Sequence, residues 1–170
     1  DATNLGFNSR PTELTANAGT YKIDNSLWLD GSADYLYRTP SSGSASTKYT
    51  LSTWFKRGTF SEQYLFMQGS DASNLDVIEF TSDHRLQIRW YPNTVAADLI
   101  TTQVFRDPSA WQHLVISVDT TLGTAGDRIK IYVNGVRVTA FDTQSNPSSS
   151  ATSMIGGTSQ MTIGRKTPGT

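Results

Sequence analysis

The chain has 170 residues, a length that suits one domain with a full hydrophobic core. Its formal net charge of −1 and the lack of a basic tract argue against nonspecific binding to nucleic acids and to anionic membrane surfaces. It has no cysteine and no apolar run of the roughly 18 residues that a membrane span needs, which excludes disulfide scaffolds, thiolate metal sites and membrane insertion.

The first predicted element is an N-terminal arm or linker over residues 1–24, which show no sustained hydrophobic periodicity. The chain starts at Asp1 rather than Met, so we interpret it as a processed product or an excerpt of a longer chain. From Ser26 onward, alternating apolar and polar residues bounded by turn residues predict about ten short strands and no helix. The predicted strands are 26–29, 35–38, 49–56, 64–69, 75–80, 85–90, 99–104, 111–119, 160–165 and the two strands of a hairpin over 127–141.

The hairpin has the most regular pattern of the chain. Asn134-Gly135 between two alternating runs predicts a two-residue turn, because both turn positions need positive φ. Such a turn places three aliphatic pairs on one face: Val133–Val136, Ile131–Val138 and Ile129–Ala140. It places Tyr132–Arg137 and Lys130–Thr139 on the other face. A one-residue slip would expose every aliphatic side chain, so the aliphatic face needs a second β-layer over it.

Four segments follow a known pattern in chain order: SLWLDGSADYLYRTPSS, YTLSTWFKRG, SAWQHLVISVDTT with DRIKIYVNGVRV, and MTIGRKTPG. Together they resemble the laminin-G-like, concanavalin A-like lectin-glucanase superfamily over about residues 25–168. The resemblance implies an all-β fold, a two-sheet antiparallel jelly-roll sandwich, for a lectin-like domain of residues 25–170. The segments FRDPSAW and IYVNGVRVTAF resemble modules of bacteriophage virion proteins, such as tail fibres and capsid decorations.

The C-terminus departs from the superfamily pattern. Members usually continue after Ile-Gly-Arg into a further strand that pairs beside the first strand, but this chain stops at Thr170. Either the module is cut short, or residues 1–24 supply the strand, or a neighbouring chain does. An open edge beside Trp28 would favour association, so a homo-oligomer is one expectation.

No catalytic residues are predicted. Glycan hydrolysis needs two carboxylates roughly 5–10 Å apart. Glu79 and Asp83 flank a predicted turn, and we interpret them as solvated carboxylates at strand ends. His84 and His113 are isolated in the sequence, so neither a nucleophile–base pair nor a zinc site is expected, and His113 is predicted to hydrogen-bond at a strand end.

Calcium is the one cofactor that the residues suggest. The segment GSDASNLD places Asp71, Asn74 and Asp76 within six residues, and carboxylate and amide oxygens are the ligands that calcium prefers. The alternative is ordinary turn chemistry, because Asp, Asn and Ser favour turns in any case.

Glycan binding needs an aromatic face beside polar groups, since the C–H face of a sugar stacks on a ring while its hydroxyls form hydrogen bonds. Trp90 and Trp111 are expected in the core or as plugs at a barrel end. The candidate ligand-binding residues lie instead on polar faces or at loop ends: Tyr132 with Lys130 and Arg137, and then Tyr91, Trp28 and Tyr35. Ordinary cross-strand pairing is the alternative for each of them.

These observations predict a non-catalytic carbohydrate- or receptor-binding adhesion module of a phage virion, in a tail fibre or surface appendage. Its partner would be a glycan or a host-surface receptor, and its location the virion surface or the extracellular space. The alternative is a structural capsid decoration or fibre-packing domain that contacts neighbouring virion subunits. A minor alternative is a glycan hydrolase.

Overall fold

The structure, a computed structural model, describes residues 25–31 and 33–166; the arm predicted for residues 1–24 lies outside them. The strands are β1 (Leu36–Arg38), β2 (Lys48–Phe55), β3 (Gln63–Asp71), β4 (Asn74–Phe80), β5 (Arg85–Pro92), β6 (Ala97–Val104), β7 (Gln112–Asp119), β8 (Ile129–Val133), β9 (Val136–Arg137), β10 (Phe141–Ser145) and β11 (Gln160–Ile163). A single 3-10 turn, Ala125–Asp127, precedes β8. Within this part of the chain, no helix has the length and apolar character needed to cross a membrane.

The strands form two antiparallel sheets. The larger sheet has the order β1-β11-β3-β4-β5-β6-β10, and the smaller sheet has the order β2-β7-β8-β9. One core cluster joins them, with Ile88 and Trp90 from the larger sheet and Ile116 and Ile131 from the smaller one. Full burial of one such aliphatic side chain contributes about 1.5–3 kcal/mol. The predicted all-β, two-sheet antiparallel sandwich is therefore confirmed.

The hairpin forms with the predicted register near its turn. Asn134 and Gly135 both have positive φ, and the strands pair Val133 with Val136 and Tyr132 with Arg137. The amide of Val138 also donates to the Ile131 carbonyl at 2.8 Å. The side chain of Val136 is 71% exposed, however, because the hairpin tip extends beyond the core.

The far end of the hairpin differs from the prediction. The pairs Ile129–Ala140 and Lys130–Thr139 do not form, because the chain leaves the smaller sheet after Val138. It continues as β10, which pairs with β6 in the larger sheet. The second strand of the hairpin thus ends early, and β10 is a strand that the pattern did not predict.

The prediction of a strand over residues 26–29 is also wrong. Residues 26–29 form no strand, and β1 pairs instead with β11, where Tyr37 lies opposite Thr162. Leu29 packs close to Gly164, where an added Cβ would lie 2.4 Å from Leu29 Cδ1. Among the described residues, β1 is the terminal strand of the larger sheet, so the expected strand beside it falls outside them.

Candidate functional site

The outer face of the larger sheet, turned away from the smaller sheet, carries a groove of about 140 Å³ that we call the Glu79 groove. It is lined by Ala72, Leu75, Val77, Glu79, Arg89, Tyr91 and Lys166. β4 supplies the floor and β5 one wall, while Lys166 follows β11 on the side of β3.

The floor of the groove is apolar because β4 is buried on both faces. Ile78 and Phe80 face the main core, whereas Leu75 and Val77 alternate with them and pack with Met67 in a second, smaller cluster. Both faces of the strand are therefore apolar, which matches its nearly continuous hydrophobic run. A ligand in the groove would rest on aliphatic side chains.

Glu79 ends this floor and is only 6% exposed, so its prediction as a solvated strand-end carboxylate is wrong. Burial raises the pKa of the Glu79 carboxyl, and the positive charges of Lys166 and Arg89 oppose that shift. Its Oε2 is buried and accepts no hydrogen bond from the described residues. Tyr64 lies opposite Glu79 on β3, just before a bulge. Asp83, in contrast, is exposed and pairs with Arg85, as predicted.

The β5 wall of the groove presents a cation over an aromatic ring. The Arg89 guanidinium lies 4.8 Å from the centre of the Tyr91 ring, an arrangement that fixes both side chains. Arg89 Nε is buried and, within the described part of the chain, donates no hydrogen bond. The groove therefore holds an unused acceptor on Glu79 and an unused donor on Arg89. A hydroxyl group can serve either one, because it both donates and accepts.

The candidate ligand-binding residues fall on three separate surfaces. Tyr91 lines the Glu79 groove, within β5 rather than on a turn. Tyr132, Lys130 and Arg137 lie on the outer face of the smaller sheet, where Arg137 and Lys130 approach Asp127 at 2.9 Å and 3.7 Å. The structure does not bring this group to the groove.

Trp28 and Tyr35 lie near the β1 end of the larger sheet. The Trp28 side chain is 74% exposed, and Tyr35 stacks with Tyr37 at a centroid distance of 5.9 Å. The Arg165 guanidinium covers the Tyr35 ring at 4.8 Å. The contact between Tyr35 and Tyr37 lies within one segment of the chain, so it is not the cross-strand pairing that we gave as the alternative.

Sequence reasoning missed Glu79, Arg89 and Lys166 as groove residues, and it missed Trp54. Trp54 alternates in step with the polar residues of β2, and this pattern could have placed it on the outer face of the sheet.

Trp90 is buried as expected, but the core position expected for Trp111 is wrong, because its side chain is 39% exposed. His113 hydrogen-bonds Ser52 Oγ at 2.9 Å, in agreement with its predicted role at a strand end.

The three predicted calcium ligands belong to two different hydrogen-bond networks. Asp71 accepts from the Ser73 amide at 2.8 Å and from Asn74 Nδ2, within its own turn. Asp76 is buried and accepts from Ser153 Oγ and the Met154 amide, both at 2.6 Å. Across residues 25–31 and 33–166, no group of three or more His, Cys, Asp or Glu side chains is arranged to hold a metal ion. A calcium ion therefore stays a prediction.

The fold can be compared with known proteins. Residues 30–170 match the family described as the Concanavalin A-like lectin/glucanases superfamily. None of the curated proteins compared with this chain matches it. Among the solved structures that match is a native heptameric SAP-like pentraxin from Limulus polyphemus, with 16% sequence identity and a TM-score of 0.52. The alignment covers 78% of this chain and 58% of the pentraxin chain, and at this identity it shows a common fold alone. Because the family match extends over most of its length, this chain belongs to the Concanavalin A-like lectin/glucanases superfamily.

Proposed function

We propose that this domain is a non-catalytic carbohydrate-binding module that holds a sugar ring in the Glu79 groove. The observation that carries the proposal is a pair of buried groups, Glu79 Oε2 and Arg89 Nε, that have no hydrogen-bond partner among the described residues and lie beside an apolar floor. Leaving such a group unsatisfied costs about 1–3 kcal/mol, so a ligand that satisfies both gains that much at each position. A sugar has the matching chemistry, with hydroxyls around its rim and C–H groups on its face.

The charges of the groove support an uncharged ligand. Glu79 is surrounded by positive charge from Lys166 and Arg89 and by negative charge from Glu62 and Asp98. The two signs are balanced, so neither a strongly acidic nor a strongly basic ligand is favoured over a neutral one. A neutral glycan is therefore the ligand class that we propose.

Binding without cleavage is supported by the state of Glu62. Hydrolysis needs a second carboxylate free to act as base or nucleophile beside the first. Two other acids, Glu62 and Asp98, raise the pKa of Glu79 by their negative charge. Glu62 accepts a hydrogen bond from the Tyr64 hydroxyl, and Asp98 accepts one from Gln87 Nε2 at 2.7 Å, so both carboxylates are already engaged by the protein.

The proposal can be tested by a glycan array followed by calorimetric titration of the best ligand. We expect Glu79→Gln to weaken binding roughly 10–150-fold, the value of one hydrogen bond to a charged group. Tyr91→Ala should also weaken it, whereas Tyr132→Ala, on the opposite sheet, should have no effect. If no glycan or host-envelope component binds or raises the melting temperature, the proposal fails. Polysaccharide turnover that disappears in Glu79→Gln would identify a hydrolase instead.

We further propose that the domain is an adhesion module of a phage virion, displayed on a tail fibre or surface appendage. This narrower proposal is supported by the resemblance of residues 105–111 and 131–141 to phage virion modules. It is tested by the binding of the labelled domain to bacterial cells. Binding should be lost when the surface polysaccharide is removed and in the Glu79→Gln variant.

A second candidate function is packing against neighbouring subunits in a fibre or on a capsid. The observation that favours it is a set of exposed apolar side chains in β1, in β11 and in the segment before β1: Leu27, Trp28, Leu36, Tyr37 and Ile163. Among the described residues β1 is the terminal strand of the larger sheet, and apolar side chains on such a strand are suited to association. A stable oligomer in sedimentation analysis that Ile163→Lys dissociates would support this function, and a strict monomer that binds glycans would favour adhesion.

A further inference from the structure

The outer face of the smaller sheet carries an aromatic ring that no core contact explains. Trp54 is 54% exposed although its neighbour along β2, Phe55, is buried in the main core. β2 pairs with β7 so that Trp54 lies directly opposite His113. The two rings stack at a centroid distance of 4.9 Å with an angle of 23° between their planes. One face of the indole is therefore covered by the imidazole, and the remaining exposure leaves the other face available.

The position of His113 is held from two sides. Its Nε2 hydrogen-bonds Ser52 Oγ at 2.9 Å. Its backbone amide donates to Asn134 Oδ1 at 2.8 Å, and the Asn134 amide donates to its carbonyl at 2.8 Å. These bonds fasten the β8–β9 turn to the start of β7. We call Trp54, His113 and Ser52 the Trp54 platform; its ring surface is already ordered, so a ligand would lose little affinity to ordering it.

The charged groups on this face are mostly paired. Lys48 pairs with Asp119 at 3.1 Å, and Asp127 is shared by Arg137 and Lys130, which leaves one positive charge. The register also places hydroxyl side chains on this face, at Thr50, Ser52 and Ser117, next to Val115 and Tyr132. A partner would therefore meet hydroxyl groups between separate apolar side chains. A ligand with an apolar face and an uncharged hydroxylated rim fits this surface.

We propose that the Trp54 platform is a second carbohydrate-binding site, which stacks an uncharged pyranose ring on the free face of the indole. The smaller and larger sheets present their outer faces in opposite directions, so the platform and the Glu79 groove lie on opposite sides of the sandwich. The platform does not depend on the groove. Where both sites are occupied, one domain bridges two glycan chains, and only this bridging rests on the proposed function of the groove.

The test is NMR titration of the ¹⁵N-labelled full chain with maltohexaose, cellohexaose, xylohexaose and chitohexaose, followed at the indole N–H signals of its four tryptophans. We expect at least one of these sugars to shift the Trp54 signal in a saturable way. Affinity at this site should fall at least about fivefold in Trp54→Ala, the size expected for loss of one stacking contact. Trp54→Tyr keeps a ring and should retain part of the binding.

Two control variants separate the platform from other surfaces. Trp28→Ala removes a still more exposed indole elsewhere and should leave the Trp54 shift unchanged. Glu79→Gln should leave it unchanged as well, so failure of the groove and failure of the platform give different results. The proposal is overturned if none of the four sugars moves the Trp54 signal, or if folded Trp54→Ala binds the sugar with unaltered affinity. It is also overturned if Trp54→Ala dissociates an oligomer that the sugars do not affect, since a second copy of the chain would then be the occupant.

Discussion

The buried carboxylate of Asp76 leads to a prediction about the pH dependence of stability. Asp76 accepts from Ser153 Oγ and from the Met154 amide and so ties the segment after β10 to β4. Burial is nevertheless the larger effect, and it raises the pKa of Asp76 from 3.8 to about 6. The folded protein therefore binds this proton more tightly than the unfolded chain does.

The sign and size of the effect follow from this difference in pKa. Because the folded-state value is the higher one, the contribution of Asp76 is most favourable below about pH 4 and is lost as the pH rises through about 6. A difference of about two pH units corresponds to about 3 kcal/mol. For a domain of this size, we expect a fall of about 6–12 °C in melting temperature across that interval.

Asp76→Asn is the informative variant, because an amide oxygen can still accept from Ser153 and Met154 but never ionises. Thermal unfolding at pH 4.5, 6 and 7.5 should show a smaller pH dependence and a higher melting temperature than the wild type at pH 7.5. Glu79 also has a raised pKa, so part of the dependence should remain and disappear in Asp76→Asn/Glu79→Gln. Asp71→Asn is the matched control, because hydrogen bonds lower the pKa of that exposed carboxyl and its titration lies below this interval. Parallel curves for the wild type and Asp76→Asn would refute the reasoning.

Three further predictions concern the hydrophobic core, the close contact between Gly69 and β4, and calcium binding. Ile131→Ala, at a fully buried position, should lower the free energy of unfolding by about 2–5 kcal/mol, whereas Val136→Ala in the same hairpin should change it by less than about 0.5 kcal/mol; urea titration measures both. Gly69→Ala would bring a Cβ within 2.5 Å of a β4 carbonyl and should cost about 1–3 kcal/mol, while Gly123→Ala, with open space around it, should not destabilise the domain. Calcium should leave the melting temperature unchanged, because both oxygens of Asp71 already accept hydrogen bonds; a rise that EDTA reverses and Asp71→Asn removes would establish the metal site.

Most of the fold could be predicted because the period of two is a property of the strand itself. Ile131 and Tyr132 must face opposite ways wherever the strand lies, and one buried face then requires a second sheet. The two-residue alternation within a strand does not determine which other strand pairs with it in the sheet. Residues 26–29 alternate well but pair with no strand in the described part of the chain. Beyond Val138 the alternation continues, yet β10 pairs with β6 rather than β8.

The site was harder to predict because it depends on contacts between distant residues. The sequence around Glu79 places a carboxylate near a strand end, where solvation is the ordinary expectation. In the structure it is buried, with Tyr64 opposite it on the neighbouring strand and Lys166, far along the chain, in the same groove. Trp54 is the opposite case, since its position in the alternation of β2 already predicts that it lies on the outer face of the sheet. The alternation does not predict that the ring of His113, on a neighbouring strand, stacks against it.

The two outer faces differ in which interactions remain unused, and this difference predicts how selective each would be. In the groove, Glu79 and Arg89 each have a buried polar atom without a partner among the described residues, so a sugar that lacks a hydroxyl at the right position leaves one of these atoms unsatisfied. On the platform, His113 and Ser52 hydrogen-bond each other, and the main contact offered to a ligand is the indole face. Stacking depends on ring shape far more than on the orientation of single hydroxyls. We therefore expect the groove to discriminate between epimeric sugars at least about tenfold and the platform to discriminate much less. The NMR titration measures both affinities when the backbone amide signal of Tyr91 and the indole signal of Trp54 are followed separately.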